Sequence, residues 1–420
     1  MENDNTKDRF SRRGFLGAGS VALATAAGSL ALNRAFAQEG AAAQTGTDRS
    51  ATDPGPANVP LNQLNPDSEW PPRTDSKSLV HAFKYPFSFA NKRTYEGGWS
   101  REVTVRELPV SVSMAGVNMR LTAGGVRELH WHTASEWAMV LYGSARITAI
   151  DGDGKSFVAD VTKNDLWYFP SGIPHSIQGL DPDGTEFMLV FDDGNFSESE
   201  TVLLSDAMAH LPPEVLSKNF GVSEASLKNL PKNELFIFQT AVPGSLEADQ
   251  KAAAGALGKS SQDFAFRTMA IPPTKRTRSG EARIVDASIF KASTNVAMAM
   301  VTVHPGGMRE LHWHPNSDEW QYYIEGTGRM TVVATGNLGR TMDFQAGDVG
   351  YVQKTLLHYI ENTGNTDLIF LEMFKSSHYQ DFSLSEWLSH TPPELVMAHL
   401  NVDKPTLDAI PKDKLVVVPE

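Results

Sequence analysis

The residues best placed to do chemistry are Arg127-Glu128-Leu129-His130-Trp131-His132-Thr133-Ala134-Ser135-Glu136, which set two imidazoles and a carboxylate within seven residues. The hexapeptide recurs as Arg309-Glu310-Leu311-His312-Trp313-His314, and Pro315-Asn316-Ser317-Asp318 then leads to Glu319, four spacer residues on instead of three. On an extended strand His130 and His132 point to one face, about 7 Å apart along the backbone, and Trp131 points to the other. Two imidazoles with a carboxylate make a mixed nitrogen and oxygen donor set, suited to manganese, iron, zinc or nickel and less to calcium. A third imidazole stands 43 residues beyond His132, at His175, and 44 beyond His314, at His358. A single His-x-His is as readily a solvated strand face. Here six of the twelve histidines fall at corresponding places in two repeats, which favours two metal sites: His130, His132, Glu136 and His175, then His312, His314, Glu319 and His358.

The rest of the composition narrows what those sites could serve. Without any cysteine there are no disulfides, no thiolate ligands and no thiol nucleophile. A net charge of −13 with no basic cluster in the mature chain argues against nucleic acid and anionic membranes as partners. The N-terminus carries Ser11-Arg12-Arg13-Gly14-Phe15-Leu16, a small and apolar run over 17–32, and Ala35-Phe36-Ala37. This predicts a twin-arginine signal peptide over residues 1–37, cleaved after Ala37, and a periplasmic or secreted mature protein. A membrane anchor is the alternative, but the run is rich in Ala, Gly and Ser, and no other segment looks transmembrane.

The elements that must position the ligands fall into two halves. Residues 38–76 lack apolar periodicity and read as a flexible arm, and residues 243–261 read as a low-complexity linker. That leaves domains over 77–242 and 262–420, each long enough to bury a core. Each half opens on an aromatic pair, Phe87 with Phe89 and Phe264 with Phe266. Short β-branched or aromatic runs follow, bounded by Gly, Asp, Asn or Pro: 103–110, 140–150, 166–169 and 187–191, then 297–303, 320–324, 330–334, 349–352 and 368–373. This predicts an all-β fold of two antiparallel jelly-roll sandwiches, each closed by a short helical segment, at 204–214 and 384–394. His210 and His390 lie in those segments, away from the ligand clusters, where structural or exposed roles fit them.

The two Gly-Gly-x-Arg-Glu-Leu-His-Trp-His blocks, 124–132 and 306–314, resemble the metal motifs of the cupins, and their duplication resembles a bicupin. Phe191-Asp192-Asp193-Gly194-Asn195-Phe196-Ser197-Glu198, Glu319-Trp320-Gln321-Tyr322-Tyr323-Ile324 and Asp348-Val349-Gly350-Tyr351-Val352 narrow the resemblance to the bacterial oxalate decarboxylases, from about residue 77 to the C-terminus. The resemblance implies one Mn(2+) per half, two per chain, held by the eight ligands above, with oxalate as substrate, dioxygen as catalytic co-substrate, and a homo-oligomeric trimer or hexamer. It also implies that Arg127 and Arg309 hold or stabilise a carboxylate. By strand alternation Arg127 falls opposite His130, so that role needs a local bend or bulge; a surface salt bridge is the alternative. Glu198, in Ser197-Glu198-Ser199-Glu200-Thr201, matches the family's catalytic lid glutamate, the proton donor that makes formate. The lid is commonly Ser-Glu-Asn-Ser-Thr, so Ser199 and Glu200 depart from it and keep an oxalate oxidase, giving CO2 and hydrogen peroxide, open as the alternative. Glu372 and Tyr379 resemble a glutamate and a tyrosine near the second manganese; the other reading of Glu372 is an inward carboxylate paired to Arg309. A non-enzymatic bicupin like the seed storage globulins is a further alternative, and such proteins characteristically lose ligands, whereas all eight are present here; a non-catalytic periplasmic bicupin that binds metal or oxalate is another, and would show tight binding without turnover.

Overall fold

The computed structural model describes residues 82–336 and 338–418. The expected signal peptide, the expected arm over 38–76 and the domain boundary after it all lie outside them.

Each repeat is a pair of antiparallel sheets. In the second, one layer runs Asp348–Val352, Glu319–Glu325, Leu368–Phe374, Ala297–Val303, Gly280–Val285 and Lys275–Thr277, and the facing layer runs Leu338–Gln345, Thr327–Ala334, Leu357–Asn362, Met308–Trp313 and Phe382–Ser383. In the first repeat, one 15-residue strand, Glu136–Ile150, serves both layers. Its first residues pair with Asp165–Phe169 and Thr185–Phe191, and its last with Ser156–Thr162 and His175–Gly179. The change of layer falls at Gly143, whose φ of 72° only glycine adopts without strain. Alternation places large apolar side chains between the layers, and Trp137, Trp167, Trp320, Phe187 and Phe191 are buried.

The halves share more than a boundary. Lys84–Pro86 joins the second repeat's sheet beside Asp348–Val352, and Ala265–Arg267 joins the first repeat's sheet beside Asp165–Phe169. The strands beside the two aromatic pairs thus complete the opposite half from the one their sequence position suggests. One apolar core runs from Phe87 and Trp137 through to Trp320, Tyr351 and Met373. The halves come close at Gly116, since a Cβ there would meet the Trp320 ring at 2.3 Å. Polar bridges flank it: Ser113 Oγ donates to Asp318 Oδ2 at 3.0 Å, and Asn295 Nδ2 donates to Asp192, which also accepts from Ser135 N at 2.7 Å.

Two local expectations differ from the structure. The strand expected over 103–110 stops at Val103, because Glu107 Oε2 accepts from both Thr104 N and Thr104 Oγ1 at 2.8 Å and turns the chain. Within 243–261 lies a helix, Leu246–Ala254 (α1), capped by Ser245 Oγ accepting from Ala248 N. Gln250 Nε2 donates to Val158 O at 2.9 Å, and Asp249 pairs with Arg146, so α1 is fastened to the first half.

Candidate metal centres

His130 and His132 come from strand Gly125–Trp131 and its exit, Glu136 opens the long strand, and His175 opens His175–Gly179, which pairs with the first. Met308–Trp313, Glu319–Glu325 and Leu357–Asn362 supply His312, His314, Glu319 and His358 in the same way. In each group one donor atom from each of the four residues lies within 4.8 Å of the others, and all eight residues are buried.

Hydrogen bonding fixes which nitrogen faces inward. His130, His132 and His175 place Nδ1 against the carbonyl oxygens of Glu128, Ala134 and Ile173 at 2.6, 2.7 and 2.8 Å. His312, His314 and His358 do so against Glu310, Gln380 and Leu356 at 2.6, 2.7 and 2.9 Å. A carbonyl only accepts, so each Nδ1 carries the proton and each Nε2 presents a lone pair to the cluster. His312 Nε2 is buried with no hydrogen-bond partner. Burial also holds His130, His175 and His312 below the usual imidazole range, with neighbouring Arg127 and Arg309 adding to the effect at His130 and His312.

The carboxylates complete the argument for a cation. Burial alone would raise Glu136, yet His175 and His132 outweigh it and hold the group well below the usual carboxylate range. Glu319 is likewise lowered, by His358 and His314 against burial, while Glu319 in turn raises His314. His175 Nε2 sits 3.3 Å from Glu136 Oε2, and His358 Nε2 sits 2.8 Å from Glu319 Oε2. With every Nδ1 protonated, these contacts call for a cation between nitrogen and oxygen, a proton or a shared metal ion, so the donor set fits a divalent transition metal in both halves.

What surrounds the two clusters differs. Glu136 Oε1 accepts from the Trp167 indole at 2.8 Å, and Glu319 Oε1 accepts from the Gln321 amide at 2.6 Å. Register slips by one residue between Arg127 and His130, and again between Arg309 and His312, so each arginine turns to the face of its ligands and is buried. That is the bulge that alternation alone required. Arg309 is saturated: Nε donates to Glu372 Oε1 at 3.0 Å, and Nη2 donates to Tyr379 Oη at 2.8 Å and to Asp381 Oδ2 at 2.9 Å. Arg127 has no carboxylate at ion-pair distance among the described residues; Nη1 donates to Phe236 O at 3.3 Å, and the guanidinium lies 4.0 Å from the Phe236 ring centre. Glu198 is 2% exposed, and its Oε2 accepts from Arg93 Nη2 at 2.5 Å and Ser100 Oγ at 2.8 Å.

The Cupin family profile matches residues 87–228 and 269–408. The chain is 50% identical over 371 residues to Oxalate decarboxylase OxdC of Bacillus subtilis (strain 168), covering 88% of this chain and 95% of that protein. This chain is a bicupin of the oxalate decarboxylase family. A probable oxalate decarboxylase of Arthroderma benhamiae is 38% identical, covering 87% of this bicupin and 90% of that protein. A solved structure of the Bacillus subtilis oxalate decarboxylase, from a study of its Mn(II) centres, superposes with a TM-score of 0.85 at 49% identity, covering 89% of this chain and 98% of that one. The two tandem jelly rolls of this bicupin are those the sequence led us to expect.

Three further features of the bicupin's sites were not visible in its sequence. Glu128 and Glu310, inside the repeated hexapeptide, are buried and accept from Ser205 Oγ and Ser383 Oγ at 2.9 and 2.7 Å. Phe236 and Val416 hold left-handed backbones, with φ of 56° and 67°, and each carbonyl accepts from a site arginine. Asp381, held down to about 2 by Arg309 and Lys414 against the effect of burial, completes the second arginine's shell. Only the repetition of Glu128 and Glu310 offered a signal in the residues themselves.

Proposed function

We propose that this bicupin converts oxalate to formate and CO2 at its first metal centre, with manganese bound in each half and dioxygen as a catalytic co-substrate. The observation that carries the reading is the pairing of a complete His3Glu cluster with an arginine, Arg127, that has no carboxylate partner among the described residues. The relatives named above supply the substrate class. Manganese held by His130, His132, Glu136 and His175 would supply a Lewis-acidic, one-electron redox centre for a bound carboxylate.

This chain's residues have the remaining work. Arg127 offers a planar cation to a carboxylate of oxalate, and burial makes that attraction stronger than in water. Phe191 and Phe196, stacked at 3.6 Å between ring centres with Phe196 also edged against His132, keep the ligand side apolar. Glu198 delivers a proton to the carbon that CO2 leaves. One oxalate dianion and one proton give one formate and one CO2, with no net electrons transferred. The second centre, with Arg309 already neutralised, serves structure or electron transfer in this reading.

One observation favours a second reading. Ser199 and Glu200 depart from the family's lid, and a lid that fails to protonate in time would leave oxalate to give two electrons to dioxygen, yielding two CO2 and, with two protons, one hydrogen peroxide. The test is turnover of the manganese-loaded full chain with and without oxygen, measuring formate, CO2 and peroxide, with Glu198→Ala alongside. Oxygen-dependent formate and CO2 near one to one, lost in the variant, supports decarboxylation; peroxide as main product supports the oxidase; no product from metallated protein leaves a binding protein. The N-terminal motif supports export by the twin-arginine route to the periplasm or medium, and the family resemblance supports a trimer or hexamer.

A further inference from the structure

Around Glu198, the lid's polar contacts reach back about a hundred residues to one hairpin. Strands Lys92–Tyr95 and Gly98–Val103 pair, and Arg93 and Ser100 stand opposite each other in that pairing. Their donors converge on Glu198 Oε2, at 2.5 and 2.8 Å. Glu198 N donates to Glu102 Oε2 at 3.3 Å, and Arg106 ties Glu102 Oε1, at 3.3 Å, to Phe196 O, at 3.4 Å. Ser100 is fully buried, so its hydroxyl is not simply a solvated group that happens to lie nearby.

The hairpin also reaches the substrate arginine. The ring of Phe236 carries the Arg93 guanidinium at 4.8 Å and that of Arg127 at 4.0 Å. Glu198 contacts the first of these two cations, so the hairpin joins the lid to the ring that carries Arg127. The lid is therefore seated inward. The second half is built otherwise: its arginine is met by Glu372 and Asp381, with Lys414 beyond, and Val416 stands where Phe236 does.

We propose that Arg93 and Ser100 are positioning residues, a dock that holds the Glu198 carboxyl buried beside the ring that carries Arg127 and so sets the partition between formate and peroxide. The proposal rests on Glu198 being the proton donor. A lid released from the dock spends more time away from the carbon to be protonated, and oxidation by dioxygen gains at the expense of formate.

The test is oxalate turnover by the full-length, manganese-loaded chain in air, measuring formate, peroxide and metal content for Arg93→Gln, Arg93→Lys, Ser100→Ala and Glu198→Ala. Arg93→Gln is expected to lower the formate-to-peroxide ratio about tenfold and Ser100→Ala about threefold, at unchanged KM and full metal content, with Arg93→Lys restoring most of the ratio. A role in folding alone would lower metal content or scale both products together, and that result overturns the dock. So does an unchanged ratio in Arg93→Gln when Glu198→Ala abolishes formate. If Glu198→Ala keeps its formate, the donor reading fails first and the dock falls with it.

Discussion

The two metal centres hold the same four ligands in the same tautomers, and differ in what their arginines are doing. Arg309 meets Glu372 and Asp381 in a fully buried cluster, so its charge is already answered. Arg127 lies against the Phe236 ring and a carbonyl, with no carboxylate at ion-pair distance among the described residues. At the position paired with Glu136's neighbour Ala138 stands Leu189, whereas the corresponding strand position beside Gln321 holds Glu372. A duplicated ligand set is therefore compatible with two occupations: one centre prepared for an incoming anion, the other internally neutralised. What separates them is one apolar-to-acidic difference on a neighbouring strand together with the chain that covers the site.

Removing ligands should break the comparison most severely. His130→Ala is expected to leave one metal per chain and lower formate production by at least about a thousandfold, whereas His312→Ala, also with one metal, should retain activity within about tenfold. Elemental analysis beside a formate assay decides it, and equal losses would make the centres equivalent. The arginines should separate next. Arg127→Ala is expected to lower kcat/KM for oxalate by about a hundredfold to a thousandfold with little change in thermal stability. Arg309→Ala leaves buried Glu372 without its cation and Asp381 with Lys414 alone, and should cost about 3–5 kcal/mol in denaturant unfolding.

Acidification sharpens the contrast through Asp381. Its pKa is lowered from 3.8 to about 2, so the stability it contributes is present above pH 4 and is lost as pH falls toward 2. Wild type should exceed Asp381→Asn by about 2 kcal/mol above pH 4, and unfolding curves for the two should converge near pH 2. The smallest effect is expected at the carboxylate's own support. Trp167→Phe removes the donor to Glu136 and should weaken metal binding about tenfold at the first centre alone, read by chelator competition.

Much of this was legible because a metal site leaves a spacing in the chain. His-x-His on a strand puts two ligands on one face, and repetition showed that His175 and His358 belong with them. Arg127 was legible as a residue but not as a direction: alternation turns it away from His130, and only the one-residue slip at Glu128-Leu129 brings it round. Arg93, Ser100 and Phe236 were silent, since they reach the site through packing between segments a hundred residues apart. The helix over Leu246–Ala254 was hidden by its composition, because Ala, Lys and Gln suit a docked helix as well as a linker. The opening strands misled for a topological reason: nothing in a three-residue strand says whose sheet it completes.

That exchange of edge strands bears on how the molecule comes apart. With Lys84–Pro86 built into one half, Ala265–Arg267 into the other and a common core between them, neither half has a finished sheet of its own. A protease that nicked the stretch after α1 would leave two fragments clasped together, and heating would melt both repeats in a single transition. The duplication visible in the sequence is thus no longer a pair of separable folding units: a lesion in either repeat is felt as instability by the whole chain.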